Sequence, residues 1–335
     1  MATHRIIVNP IAGHGEARQM IPEIEQELQK NHIDYELMQT QHAWHAAELA
    51  QQAVVLGCEV IVSVGGDGTF NEVLNGIMLA REAGLGSAVL GVIPVGQGND
   101  FSFAMGIPAG VPASVRALAA GQRRTIDVGL VTGGYYPLGR YFGNGVGIGF
   151  DAIVSFLAAK NRRTKGFASY LWAVTRTISL YSKAPMVSID VDGEVVQQRA
   201  LMISLMNGRR MGGGFVMAPQ SDPEDGLLDL CIVRQVPRPR IVTLVPYFLN
   251  GTQRRLRVVK MLRGRKVIVR AVQGTLPAHA DGETICTEAD ELSIQILPKQ
   301  IELIYQPEPE PVPAPPPPKK RRRWFRRKKD RQAAG

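Results

Sequence analysis

Apolar positions in the first third of the chain come in short runs separated by stretches of helical period. Residues 5–8 read as a strand, and residues 16–30 as a helix with Met20, Ile24 and Leu28 four apart on one face. The alternation continues with a strand at 33–40, a helix at 44–56 and a buried strand at 59–64. A helix at 69–80 follows, with Val73, Leu74 and Ile77 turned inward, and then a strand at 88–94. Strands that alternate with helices predict a parallel sheet covered on both faces. The pattern fades after about Asp127.

Beyond that point short strand-like runs dominate. Residues 186–191, 194–198, 201–206, 228–233, 266–271, 291–296 and 302–305 read as strands, and the pair Asp192-Gly193 predicts a hairpin. Helical patterns interrupt at 152–157 with 167–181, and at 239–250. The expected architecture is an α/β nucleotide-binding domain over residues 1–130 and a mainly antiparallel β-sandwich domain over 131–305, whose last strands are free to return to the first domain. A disordered Pro-rich linker and basic tail complete the chain over 306–335. Residues 307–318 contain eight prolines, which fix φ and lack the amide donor. A semi-rigid polyproline II spacer is expected there, with a reach of about 37 Å at about 3.1 Å per residue.

Charge changes this picture once it is located. The chain carries a net charge of +9, but residues 319–331 alone hold ten Lys and Arg and one Asp. Of 39 basic and 30 acidic residues, 29 of each then remain, so the body is neutral. The basicity belongs to a tail, and nothing in the body calls for nucleic acid as a partner. A hydrophobic content of 45% supports a sizeable core. No run approaches the ~18 apolar residues of a membrane span, and the N-terminus lacks the apolar stretch of a secretory signal. Cys58, Cys231 and Cys286 are far apart and odd in number, which argues against a disulfide framework and suits a reducing cytoplasm.

The most specific chemistry lies in VSVGGDGTFNEV, residues 62–73. A buried strand ends, a glycine loop follows, and Thr69 opens a helix. Glycines bring backbone amides close to a ligand, and a helix N-terminus adds oriented N–H groups that suit phosphate. Asp67 would repel phosphate directly but suits a divalent cation placed between them. A second strand–loop–helix unit, residues 92–108, carries Gly96, Gly98 and Asp100; the first strand ends with Asn9, Gly13 and Gly15. In a parallel sheet all three loops lie at the carboxyl edge, where ligands bind. Asp100 reads both as a helix cap and as a partner of Asp67.

Taken in order, VNPIAGHG at 8–15, GGDGTFNEV at 65–73, PVGQGNDF at 94–101, the Asn207–Gly214 run, Ala218-Pro219, DGLLD at 225–229 and Asp281-Gly282-Glu283 resemble the diacylglycerol kinase catalytic-domain family. The resemblance covers about residues 4–305. It implies an NAD-kinase-like fold for the first domain. It implies ATP-phosphate contacts at Gly65, Gly66, Asp67, Gly68 and Thr69, continued by Phe70, Asn71 and Glu72, with Asn9, Gly13 and Thr40 also at the nucleotide. Gln97 stands where the family has a nucleotide-contacting threonine. Asp127 joins Asp67 and Asp100 in a catalytic carboxylate network, and Glu283 is the general base. A structural Mg²⁺ is implied at Asp225 with the backbone carbonyls of Asp222 and Leu227.

The resulting expectation is an ATP- and Mg²⁺-dependent kinase that phosphorylates a lipid hydroxyl, with diacylglycerol giving phosphatidic acid as the default. A glycerophospholipid or long-chain base is an alternative acceptor. NAD kinase activity is a second reading, since that family shares GGDGT, and a non-catalytic nucleotide or lipid sensor is a third. Residues 143–158 and 166–181 read chiefly as packed core and secondarily as an acyl-chain groove; Asn161–Lys165 reads equally as a headgroup contact and as a solvated loop. The tail, with Trp324-Phe325 among its cations, suits an anionic membrane surface. Expected partners are therefore a lipid substrate, an anionic membrane and a second copy of the chain as a homodimer. The expected location is the cytoplasm, peripherally on the membrane.

Overall fold

The structure is a computed structural model that describes residues 3–96, 98–160, 167–180 and 184–307. Gln97, the 161–165 loop and the basic tail lie outside the described residues. The first part alternates as its pattern demands: β1 His4–Val8, α1 Glu16–Lys30, β2 Tyr35–Gln39, α2 His45–Val55, β3 Val60–Gly65, α3 Asp67–Glu82 and β4 Val89–Pro94. The strands pair in parallel in the order β2-β1-β3-β4. All of β3 is buried, as a central strand covered on both faces must be. Helices α2 and α3 pack on one face around Leu49, Leu74 and Ile77. Helix α1 and α5 Val111–Ala120 pack on the other around Ile24, Leu28 and Val115. Between β4 and α5 a short helix, α4 Asp100–Ala104, opens at the second glycine loop.

The second part begins with β5 Arg123–Gly133, β6 Tyr136–Phe142, β7 Gly145–Gly149, α6 Phe150–Lys160 and α7 Phe167–Leu180. Then come β8 Met186–Val191, β9 Glu194–Met206, the short pair β10 Arg210–Met211 and β11 Phe215–Val216, β12 Leu228–Arg234 and α8 Arg238–Leu249. The chain ends with β13 Val259–Gly264, β14 Lys266–Gln273, β15 Ala278–Ala280, β16 Glu283–Cys286 and β17 Glu291–Ile304. The expected hairpin forms: Val191 faces Glu194, and both Asp192 and Gly193 have positive φ (51° and 96°), as a two-residue primed turn requires.

Two long strands build the sandwich. The first half of β9 pairs with β8; its second half pairs with β7 and β12 in the other sheet. Apolar residues of both sheets, among them Val131, Ile203, Leu230, Val267 and Ile294, fill the space between. Helices α6, α7 and α8 cover the outer face of the β7-β9-β12 sheet. Strand β17 runs antiparallel to β5 over most of its length and meets β4 in parallel at Leu303–Leu90. One hydrogen-bonded sheet therefore continues from the first half into the second, which fixes the two walls of the cleft between them.

Candidate active site

The carboxyl edge of the parallel sheet carries three loops that fold on one another. Gly66 and Gly96 touch backbone to backbone: a Cβ on Gly96 would stand 2.6 Å from the Cα of Gly66. No other residue allows that approach. Gly66 caps α3, so the helix begins inside the GGDGT loop and its free amides open on the cleft. Asn9 Nδ2 donates to Thr69 Oγ1 at 3.0 Å and ties the first loop to the second. The resulting cleft is about 900 Å³, lined by Asn9, Gly13, Gly66, Thr69 and Gly96 on the sheet side. Ser155, Ala158 and Glu283 line it from the second half.

Behind Gly68 and Glu283 lies a smaller cavity of about 210 Å³ with five carboxylates in its wall: Asp67, Asp100, Asp151, Asp281 and Glu283. Asp67 accepts the amides of Asp100 (3.3 Å) and Phe101 (3.2 Å). Burial, reinforced by the nearby Asp100 charge, pushes its carboxyl up to about 7. Burial also raises Asp100, against the pull of the Gly213 amide (2.7 Å) and Arg210 Nε (2.7 Å). Asp281 is saturated. It accepts the amides of Gly143, Asn144 and Gly145 and the Asn71 side-chain amide, all at 2.8–3.0 Å. These bonds clamp the 281–283 turn to the start of β7 and hold Glu283 over the first turn of α3. A Cβ on Gly68 would lie 2.6 Å from Glu283 Oε1. Arg140 stands 3.8 Å from Glu283, held by Asn71 and by the rings of Trp44 and Tyr136.

A third space, almost wholly apolar, adjoins the carboxylate cavity: Asp151 and Gly212 line both. Phe150, Val154, Leu201, Phe215, Ile241 and Phe248 enclose it. Its volume, about 60 Å³, admits the first methylenes of an alkyl chain rather than a whole one. The helices around it leave Leu171, Trp172, Val242, Tyr247 and Leu249 exposed on their outer sides.

Of the residues expected at the nucleotide, Asn9, Gly13, Gly66, Gly68, Thr69 and Glu72 line the cleft. Gly65 ends β3 beneath Thr69, and Asp67 faces the neighbouring cavity. Phe70 stacks on Phe101 in the core, ring centroids 3.6 Å apart. Asn71 is buried against Tyr141, Arg140 and Asp281. Thr40 follows β2 at the same edge without lining the cleft, and Gln97 lies outside the described residues. Asp67, Asp100 and Glu283 share one cavity; Asp127 does not. Its carboxylate instead accepts the amides of Gly226 (2.6 Å) and Lys299 (2.8 Å). Motif reading gave no role to Asp151, His279, Arg140 or Arg210, and took Asp281 only as the turn before Glu283. The one available signal was Asp281 in its Asp-Gly turn, where φ is 49°.

In the 222–227 loop, the expected place of a structural Mg²⁺, the protein's own groups engage the Asp225 carboxylate. Asp225 pairs with Arg263, and its other oxygen accepts the Leu227 amide at 3.0 Å. The guanidinium, which also reaches Asp229 at 3.2 Å, supplies the positive charge there. The carboxylate cavity offers more acidic oxygen donors for such a cation, with Asp100 already paired to Arg210.

Residues 3–131 match the family described as the diacylglycerol kinase catalytic domain. Residues 144–305 match the YegS C-terminal NAD kinase beta sandwich-like domain. A diacylglycerol kinase of Mycobacterium tuberculosis is 28% identical over 289 residues, covering 86% of this chain and 90% of that one. A diacylglycerol kinase of Staphylococcus saprophyticus is 30% identical over 233 residues, 69% of this chain and 72% of that one. The crystal structure of a diacylglycerol kinase from Bacillus anthracis superposes with a TM-score of 0.67 at 21% identity, over 91% of this chain and 97% of that one, and shares the fold.

Proposed function

From the premise that the chain belongs to the diacylglycerol kinase catalytic-domain family and is a lipid kinase, we propose that it transfers the γ-phosphoryl group of ATP to the free hydroxyl of diacylglycerol, giving phosphatidic acid. One observation carries the reading: three spaces of different chemistry lie side by side, each sharing wall residues with the next, in the order this reaction needs. A cleft walled by helix-start amides suits the triphosphate. A carboxylate cavity suits proton and cation handling. An apolar cavity suits the acyl end.

Glu283 belongs to both the cleft and the carboxylate cavity. It takes the proton of the attacking hydroxyl, oriented by the Asp281 clamp. Phosphoryl transfer asks the protein chiefly for positioning and charge neutralisation. Asp67 and Asp100 would be the oxygen donors for the Mg²⁺ that accompanies ATP, which would supply charge neutralisation at the phosphates when bound. Arg210 keeps Asp100 in place from behind. NAD finds no use for the apolar cavity. The exposed apolar side chains of α7 and α8 and the basic tail suit docking on an anionic bilayer, which would deliver the substrate to that cavity.

Incubation with labelled ATP, Mg²⁺ and a total lipid extract tests the reading. Label is expected in phosphatidic acid; label in another lipid, or in NADP when NAD is added, would replace the substrate named here.

A further inference from the structure

His279 is 2% exposed and sits in the wall of the carboxylate cavity. Its Nδ1 accepts the Gly282 amide at 3.3 Å, which leaves the proton of the neutral ring on Nε2. That Nε2–H has no hydrogen-bond partner. The carboxylate of Asp151 is 3.8 Å away, beyond hydrogen-bond reach. A buried donor left unmet is rare in folded proteins and asks for an explanation. The backbone beneath makes room for it, because a Cβ on Gly147 would collide with both Asp151 and His279.

We propose that His279 Nε2–H is the donor that holds an acyl ester carbonyl of the lipid acceptor, so that the site favours ester-linked over ether-linked glycerolipids. This rests on the lipid-kinase reading above. A carbonyl oxygen only accepts, and an ionised carboxylate cannot donate to it; Asp67, raised to about 7, is turned to the Asp100 and Phe101 amides instead. The Asn144 side-chain amide, also in the wall, is spent on the Arg210 carbonyl at 2.9 Å. The order along the site matches the order along the molecule. Glu283 would meet the hydroxyl and His279 the ester next to it, and Asp151 and Gly212 form the shared wall beyond which lies the apolar cavity for the chain. An ether oxygen is a poorer acceptor, and a long-chain base has no ester at all. Either would leave the buried donor unmet, which is how sites built around one hydrogen bond discriminate.

The test compares 1,2-dioctanoylglycerol with its 1,2-dioctyl ether in mixed micelles. The full-length protein is expected to show kcat/KM about 10-fold higher for the ester, mostly through KM. His279→Leu also removes the acceptor of the Gly282 amide beside Glu283, so it should lower both values but the ester value about 10-fold more, bringing the ratio to about one. His279→Gln, which keeps a donor, should retain part of the preference. A ratio near one in the unaltered protein overturns the proposal without any variant. So does a His279→Leu protein that keeps the full ester preference or loses both activities equally. If the unaltered protein binds ATP but phosphorylates neither glycerolipid, the lipid-kinase reading has failed first and this assignment falls with it.

Discussion

Asp67 is held by two backbone amides and surrounded by other carboxylates, in a place where its charge is costly. In the unfolded chain it titrates near the ordinary aspartate value of about 3.9; in the fold it titrates at about 7. Between those values the native state holds the extra proton, so stability falls as pH rises through the window, and the whole penalty stands at pH 8. Asp67→Asn removes the ionisation. The amide turns an N–H donor against one of the two backbone amides, a cost common to both pH values, so the ligand-free variant is expected to compare with the unaltered protein more favourably at pH 8 than at pH 4 by on the order of a few kcal/mol, while losing turnover. Thermal melts at the two pH values check this; an equal shift at both would show that Asp67 carries no such penalty. The motif residues were legible because glycine at a loop and an acid beside it are chemistry written in residue type. Asp281, Asp151 and His279 were not: their roles come from a clamp on β7 and from a cavity that exists only once β15 and α6 are packed.

Strands β9 and β17 show at the next scale where periodicity stops informing. Each reads in the sequence as two strands, because apolar alternation breaks at Arg199 and at Pro298–Gln300. The chain in fact continues through a change of sheet in β9 and a register shift in β17. Strands β5 to β7 went unread for another reason. Gly129, Gly133, Gly139, Gly145, Gly147 and Gly149 carry no side chain from which a period could be read. The β17 shift is pinned by Asp127, whose oxygens meet the Lys299 amide on one side and the Gly226 amide on the other. Its own amide donates to the Pro223 carbonyl at 2.7 Å. Asp127→Asn turns an N–H donor against one of those amides and is expected to cost about 2–4 kcal/mol. Urea unfolding measures it, and a change below about 0.5 kcal/mol would contradict the role.

The whole molecule places its cleft between two halves that share one sheet, and the proposed reaction would bring a water-soluble nucleotide to a membrane lipid. Among the described residues no helix is long and apolar enough to cross a membrane. The proposed docking on a bilayer uses the exposed side chains of α7 and α8 and the tail. Removing residues 319–335 is expected to weaken binding to anionic vesicles most at low salt, as a polybasic contact of about 1 kcal/mol per charge would. Sedimentation with vesicles at two ionic strengths reads this out, and unchanged binding would free the tail of that role. The most direct measurement on the account as a whole is dioctanoylglycerol-dependent formation of phosphatidic acid by Glu283→Gln, with ATP affinity measured on the same sample. A fall of at least about 100-fold in kcat with ATP binding within a few-fold of the unaltered protein is expected. A variant that turns over normally would mean that the hydroxyl does not lose its proton at the junction of cleft and cavity.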